Sequence, residues 1–193
     1  MENSEKKSLR RRLLEQRDRT SFDLMKIASK KIQHSLKKIE HFRNATKIGA
    51  YYPIGSEVMT QDIIQELLSI GKEVYLPKTK ENIMEFRKIT EFKDLEPGRF
   101  DILEPKESCP TNNELDVILV PTVGITPNGI RLGYGQGFYD RFLADNKTTT
   151  ISLTLEKQVI KNIPKEEHDF IIDWIVTEDR VLKNNSRDKK RSQ

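Results

Sequence analysis

Between Lys47 and Leu76 the chain changes its hydrophobic period twice, and this pattern restricts the fold more than any other feature. Lys47-Ile-Gly-Ala-Tyr-Tyr52 reads as a buried strand stopped by Pro53. Thr60 is a candidate N-cap for a helix that runs through Leu68 and Ile70 and ends at Gly71. Glu73-Val-Tyr-Leu76 is a second short strand, closed by Pro77. Strand, helix and strand in this order form a β-α-β unit, whose strands lie parallel with a right-handed crossover. The alternation continues. Met84 to Ile89 reads as a short strand, and Asp116-Val-Ile-Leu-Val120, the most hydrophobic run, belongs in mid-sheet. A helix from about Phe138 to Leu143, a strand at Thr150–Leu153, a helical piece from Glu156 to Ile160 and a last strand at Trp174–Thr177 follow. Residues 90–115, with Pro97, Gly98, Pro105 and Pro110, read as loop. Two helices precede the sheet. One spans residues 5–19, with Leu9, Leu13 and Leu14 as its apolar stripe. The other runs from Phe22 to Phe42 behind the cap Ser21, with Leu24, Ile27, Ile32, Leu36 and Ile39 as its apolar face. The fold class is α/β, a single domain with a mainly parallel sheet and helices on both faces. No internal repeat is visible.

Composition narrows the function classes. A chain of 193 residues suits one domain that buries its core without disulfides or metals. The single cysteine, Cys109, has no disulfide partner, no Cys/His cluster for zinc and no histidine neighbour to activate it. The first residues lack the apolar core of a signal peptide, and no run approaches the roughly 20 apolar residues that cross a bilayer. The expected setting is the cytoplasm, without a membrane. The net charge of +4 is confined to the end of the chain. Lys183, Arg187, Lys189, Lys190 and Arg191 against Asp188 account for all of it, so residues 1–182 are formally neutral. The expected organisation is a domain over 1–182 followed by a basic, disordered tail over 183–193, with no nucleic-acid partner.

The chemistry concentrates in Gly129-Ile-Arg-Leu-Gly-Tyr-Gly-Gln-Gly-Phe-Tyr-Asp-Arg141. Gly133, Gly135 and Gly137 alternate just before a helix. Glycine permits positive φ and close approach of backbone to ligand, and successive N–H groups can converge on an anion. Arg131 can add a full charge, and Asp140 stands where a carboxylate can hold a phosphate-bridging metal. The spacing matches neither the dinucleotide fingerprint nor a Walker A loop. By spacing alone, a phosphate loop and a glycine-rich structural turn remain equally open. Lys6, Lys7 and Arg10 on the first helix form either a phosphate clamp or a solvated basic face. Glu57 lies near the carboxyl end of a strand, where open α/β sheets bind ligands. Tyr134, Phe138 and Tyr139 serve either a ligand or the packing of the loop.

The string RLGYGQGFYDRFL resembles the glycine-rich signature of the 5-formyltetrahydrofolate cyclo-ligase family. Other segments resemble the family in the same order: Lys6-Lys-Ser-Leu-Arg10, Ala50-Tyr-Tyr-Pro-Ile-Gly-Ser-Glu57 with Thr60, Val74-Tyr-Leu-Pro77, Gly98–Pro105, and His168-Asp169 through Asp173 to Val176-Thr177-Glu178. The resemblance covers about residues 5–179. It implies a Rossmann-like three-layer α/β/α sandwich and an ATP- and Mg2+-dependent ligase of folate one-carbon metabolism, acting as a monomer or weak dimer. It also implies that Lys6, Lys7, Ser8, Leu9 and Arg10 contact ATP together with Arg131, Leu132, Gly133, Tyr134, Gly135, Gln136, Gly137, Phe138 and Tyr139. Ile54, Glu57 and residues Tyr134 to Phe138 would contact the folate. Asp140 and Asp173 would hold magnesium, and Arg10, Arg131 and Asp140 would carry the chemistry. Two positions depart from the family pattern: Gln136 replaces a frequent lysine, and Met59 a frequent acidic residue.

Overall fold

The computed structural model describes residues 4–98, 102–144, 146–166 and 169–184. The chain opens with helices α1 (Ser4–Asp18), α2 (Phe22–Leu36) and α3 (Glu40–Asn44). It continues through β1 (Lys47–Gly49), α4 (Gln61–Ser69), β2 (Glu73–Lys80) and β3 (Ile83–Ile89). A hairpin of β4 (Leu95–Pro97) and β5 (Leu103–Pro105) precedes β6 (Val117–Pro121). A second hairpin, β7 (Gly124–Ile125) and β8 (Arg131–Leu132), leads through the glycine loop into α5 (Phe138–Ala144). Strands β9 (Thr149–Leu153), β10 (Trp174–Val176) and β11 (Val181–Lys183) follow.

Seven strands form one sheet in the order β11-β10-β9-β6-β1-β2-β3. Its inner five, β10, β9, β6, β1 and β2, are parallel, and the edges β11 and β3 are antiparallel. Every residue of β6 is buried. Alternation then assigns its side chains to two cores. Val117 and Leu119 join Val74, Leu76 and the inner faces of α2, α3 and α4. Ile118 and Val120 join Tyr75, Phe86 and α5 on the other side. The architecture is thus the α/β sandwich expected from the sequence. The Asp116 carboxylate accepts from the backbone N–H groups of both Thr46 and Lys47 at 2.8 Å, which ties the amino ends of β1 and β6.

Several local readings differ from the sequence expectation. The long second helix is two helices. Lys38 and Ile39 donate to the carbonyls of Ser35 and Leu36, a tightened last turn, after which Ile39 is extended. This bend lets both Ile39 and Phe42 enter the core. The buried face of α2 is Met25, Ala28, Ser29, Ile32, Gln33 and Leu36, while Leu24 and Ile27 are more than half exposed. Pro77 does not end β2, because beyond Tyr75 the strand has lost β1 and keeps only β3. Pro77 pairs with Phe86, whose own N–H and C=O bond outward to Asn113 and Asn112, so the missing proline donor faces the open side. Residues 90–115 contain the β4–β5 hairpin, and Trp174–Val176 is followed by one more strand. Lys183 belongs to β11 rather than to a tail, and residues 185–193 lie outside the described residues.

Replacing Leu119 by Ala should cost about 3 kcal/mol, lowering the urea midpoint at unchanged slope. Ile27→Ala should shift stability by less than about 0.5 kcal/mol. Equal losses in urea titrations would contradict the two faces assigned here.

Candidate active site

The carboxyl ends of β1, β2 and β6 open into a cleft of about 620 Å³. Its floor is Tyr51, Tyr52, Pro77, Thr79 and Pro121. The turn after β1 supplies Ile54 and Glu57, α1 supplies Lys6 and Arg10, and Arg131 to Asp140 form the opposite wall. Ile102 to Glu104 and the carboxylates of Glu166 and Asp169 complete the lining.

Helix geometry decides which part of Lys6–Arg10 enters. Positions 6 and 10 share a face, so Lys6 and Arg10 line the cleft, whereas Lys7 and Ser8 are exposed and Leu9 packs beside Leu13. Lys6 is buried and paired with Glu166 and Asp169, each at 2.8 Å. Burial alone would lower its pKa, but the hydrogen bonds and charges of Asp169 and Glu166 outweigh burial and raise it. Arg10 donates from Nε to the Gly133 carbonyl at 2.6 Å, which fixes the start of the glycine loop.

Arg131 is the buried cation of the far wall. Its Nη1 donates to the Pro121 carbonyl at 3.1 Å and its Nη2 to Asp140 Oδ2 at 2.9 Å, while its Nε is buried with no protein acceptor. A Cβ on residue 133 would fall 2.5 Å from Arg131 Nη1, so glycine is required for this guanidinium to reach Asp140. Gly135 has φ of 95°, in the left-handed region that L side chains avoid. Gln136 is exposed on the cleft rim, and Leu132, buried in the wall, packs with Leu13.

Glu57 is 4% exposed. Its Oε2 accepts from the Ile54 N–H at 2.9 Å, and Oε1 has no protein partner. The Tyr139 hydroxyl, on the same cleft, is also buried without a partner. Burial pushes the Glu57 carboxyl above its ordinary range, against the smaller opposing effects of the Ile54 N–H, Tyr134 and Arg17. Tyr51, Tyr134 and Tyr139 are pushed up as well, first by burial and then by the Glu57 charge.

The structure does not bring Asp173 to Asp140. Asp173 precedes β10, and its carboxylate accepts from the Thr150 N–H and hydroxyl, both at 2.9 Å. Thr150 pairs with Ile118, three residues before the cleft residue Pro121, or roughly 10 Å along the strand. Asp173 therefore lies outside the cleft lining, at the amino edge of the sheet, whereas Asp140 is part of the lining. Among the described residues, no three His, Cys, Asp or Glu side chains converge as a metal cage. Magnesium needs less, since one or two carboxylates plus substrate phosphates can hold it. Among the described residues the lining also has an excess of acid: Glu57, Glu104, Asp140, Glu166 and Asp169 against Lys6, Arg10 and Arg131. These groups fit a divalent cation that enters with a polyanion. Met59 does not face the cleft and packs on Met25, Ala28 and Leu155.

Sequence reasoning missed Arg17, Glu104 and Glu166. A signal for Arg17 existed, because positions 6, 10, 13 and 17 lie on one helical face. Glu104 sits in the three-residue strand β5, too short to carry a periodic signal, and Glu166 in an irregular segment.

A cleft at the carboxyl edge of a mainly parallel sheet, with a glycine loop and converging charges, defines an α/β protein that works on a small molecule. The family description narrows this class. A profile of the 5-formyltetrahydrofolate cyclo-ligase family matches residues 2–178. A 5-formyltetrahydrofolate cyclo-ligase of Haemophilus influenzae is 35% identical over 147 residues, 71% of this chain and 78% of that protein. One from Saccharomyces cerevisiae is 29% identical over 201 residues, 90% of this chain and 95% of that protein. The solved structure of Aquifex aeolicus 5,10-methenyltetrahydrofolate synthetase has a TM-score of 0.85 and 32% identity, covering 94% of this chain and 93% of that one. The chain belongs to the 5-formyltetrahydrofolate cyclo-ligase family.

The raised pKa of Glu57 has a stability consequence. A carboxyl whose pKa is higher folded than unfolded binds its proton more tightly in the native state. Its contribution to stability therefore falls as pH rises from the ordinary glutamate value through the folded value. Glu57→Gln should remove that fall, so its Tm should gain on the wild type between pH 4.5 and 7. A constant Tm difference across this range would contradict the assignment.

Proposed function

We propose that the chain converts 5-formyltetrahydrofolate to 5,10-methenyltetrahydrofolate in an ATP- and Mg2+-dependent reaction that releases ADP and phosphate, as a cytoplasmic monomer or weak dimer. The observation that carries this reading is one cleft in which the glycine loop, the Lys6/Arg10 face of α1 and the Glu57 turn meet. Among the described residues no helix is long and apolar enough to cross a membrane.

In this reading the formyl oxygen attacks the γ-phosphorus of ATP and ADP leaves, giving a formyl group phosphorylated on its oxygen, with an activated carbon. The folate N10 then attacks that carbon, loses its proton, and phosphate departs with the former formyl oxygen. The protein supplies position and charge rather than a nucleophile. Arg10 and Arg131, one gripping the Gly133 carbonyl and the other spanning Pro121 and Asp140, border the place for the phosphoryl oxygens. The free Nε of Arg131 is a donor available to them. Lys6 holds the carboxylates of Glu166 and Asp169 on the nucleotide side. Ile54 and the unpartnered Glu57 oxygen serve the folate, as an apolar contact and as an acceptor for a ring N–H. Magnesium would neutralise phosphate charge when bound, with Asp140 as its cleft carboxylate. Tyr134, Phe138 and Tyr139 shape the space between the two ligands.

The direct test is absorbance of the methenyl product from purified protein given 5-formyltetrahydrofolate, ATP and magnesium, with each omitted in turn. Product should require all three; none from folded, ATP-binding protein would overturn the reading. Asp140→Asn should lower kcat by about a hundredfold, and wild-type turnover at saturating magnesium would remove its metal role. Arg10→Ala should raise the KM for ATP by about tenfold; an unchanged ATP dependence would count against the clamp.

A further inference from the structure

Arg17 is the least exposed charged side chain among the described residues, at 3%. A buried guanidinium needs acceptors for its fork and a nearby counter-charge. The acceptors come from three separate segments. Nε donates to Ser56 Oγ at 2.9 Å, Nη1 to the Thr122 carbonyl at 3.3 Å and Nη2 to the Tyr134 hydroxyl at 2.7 Å. Ser56 adjoins Glu57, Thr122 follows β6, and Tyr134 lies in the glycine loop. Ser56 also bonds Asp18, the last residue of α1, so the turn is held from two sides. Tyr134 accepts from Arg17, which leaves its own proton to face the neighbouring Glu57 carboxylate.

Arg17 itself does not line the cleft. We propose that it is a positioning residue for the folate side of the cleft. In this role its fork locks the Ile54–Glu57 turn to the glycine loop and presents the free Glu57 oxygen to the substrate. This inference rests on the folate reading given above. It follows from geometry: the substrate turn and the nucleotide loop share no strand, and this guanidinium bridges them. Its charge also favours ionised Glu57, which burial disfavours. The titratable groups facing Glu57 are Arg17 from α1, Tyr51 from the end of β1, Tyr134 from the loop and Tyr139 from α5. All three tyrosines are pushed upward by burial and by the Glu57 charge.

The test is steady-state kinetics of the full chain with Arg17→Lys, which keeps the charge and loses the fork. The KM for 5-formyltetrahydrofolate should rise about tenfold, while the KM for ATP changes by less than about twofold. Ser56→Ala and Tyr134→Phe remove one arm each and should raise the same KM by about threefold. Folded Arg17→Lys with an unchanged folate KM, or with both KM values raised equally, would overturn the role. If Arg17→Lys does not fold, unchanged folate KM in both arm variants would overturn it. Calorimetric titration with 5-formyltetrahydrofolate alone separates the two claims. Wild type that neither binds nor turns over the folate sinks the functional reading and this inference with it. Active wild type alongside an Arg17→Lys variant of equal folate affinity sinks the inference alone.

Discussion

Strand β6 is buried on both faces, and most of the architecture follows from that constraint. A strand covered above and below has no solvated side on which to place polar groups. The burial continues through Ile48 and Gly49 of its neighbour β1 to Val74, Tyr75 and Leu76 of β2 beyond it. Polar chemistry is thereby driven to the strand ends. At the amino edge the carboxylates of Asp116 and Asp173 bond backbone and hydroxyl groups and fix the register. At the carboxyl edge, where β1 stops early and β2 continues alone with β3, the backbone opens and the cleft forms.

The cleft is closed by elements outside the sheet. Helix α1 packs through Leu13 on Val123 and Leu132, and this apolar contact brings Lys6, Arg10 and Arg17 to the carboxyl edge together. Each cation meets a different partner: carboxylates for Lys6, a loop carbonyl for Arg10, and a set of hydroxyls and a carbonyl for Arg17. One amphipathic helix thus orders both the glycine loop and the turn bearing Glu57. The Arg131–Asp140 pair does the same work within the loop, and the absence of a side chain at Gly133 makes room for it.

Much of this was legible in the sequence where a period persisted. The β-α-β unit, the central strand and the glycine loop are strong local patterns, and the structure has all three. The second helix misled because Leu24 and Ile27 fit an apolar stripe, yet tertiary packing selected the smaller Ala28 and Ser29 face for close contact. Pro77 misled because its effect on a strand depends on which neighbour is present at that level, and no local signal carries that. The Lys6–Arg10 segment was read as a block, although helical spacing admits only its ends to the cleft. Asp173 looked like Asp140 in isolation. Only the strand register separates a carboxylate at one edge of the sheet from one at the other.

The acid excess of the cleft lining has a kinetic consequence. With five carboxylates against three cations, these side chains set a field at the mouth that opposes a bare anion. Electrostatic steering by such a lining runs against any uncompensated anion, and mobile salt weakens the effect by shortening the reach of that field. An anion already compensated by a cation meets little of that opposition, so the lining discriminates by the ionic form of what approaches it.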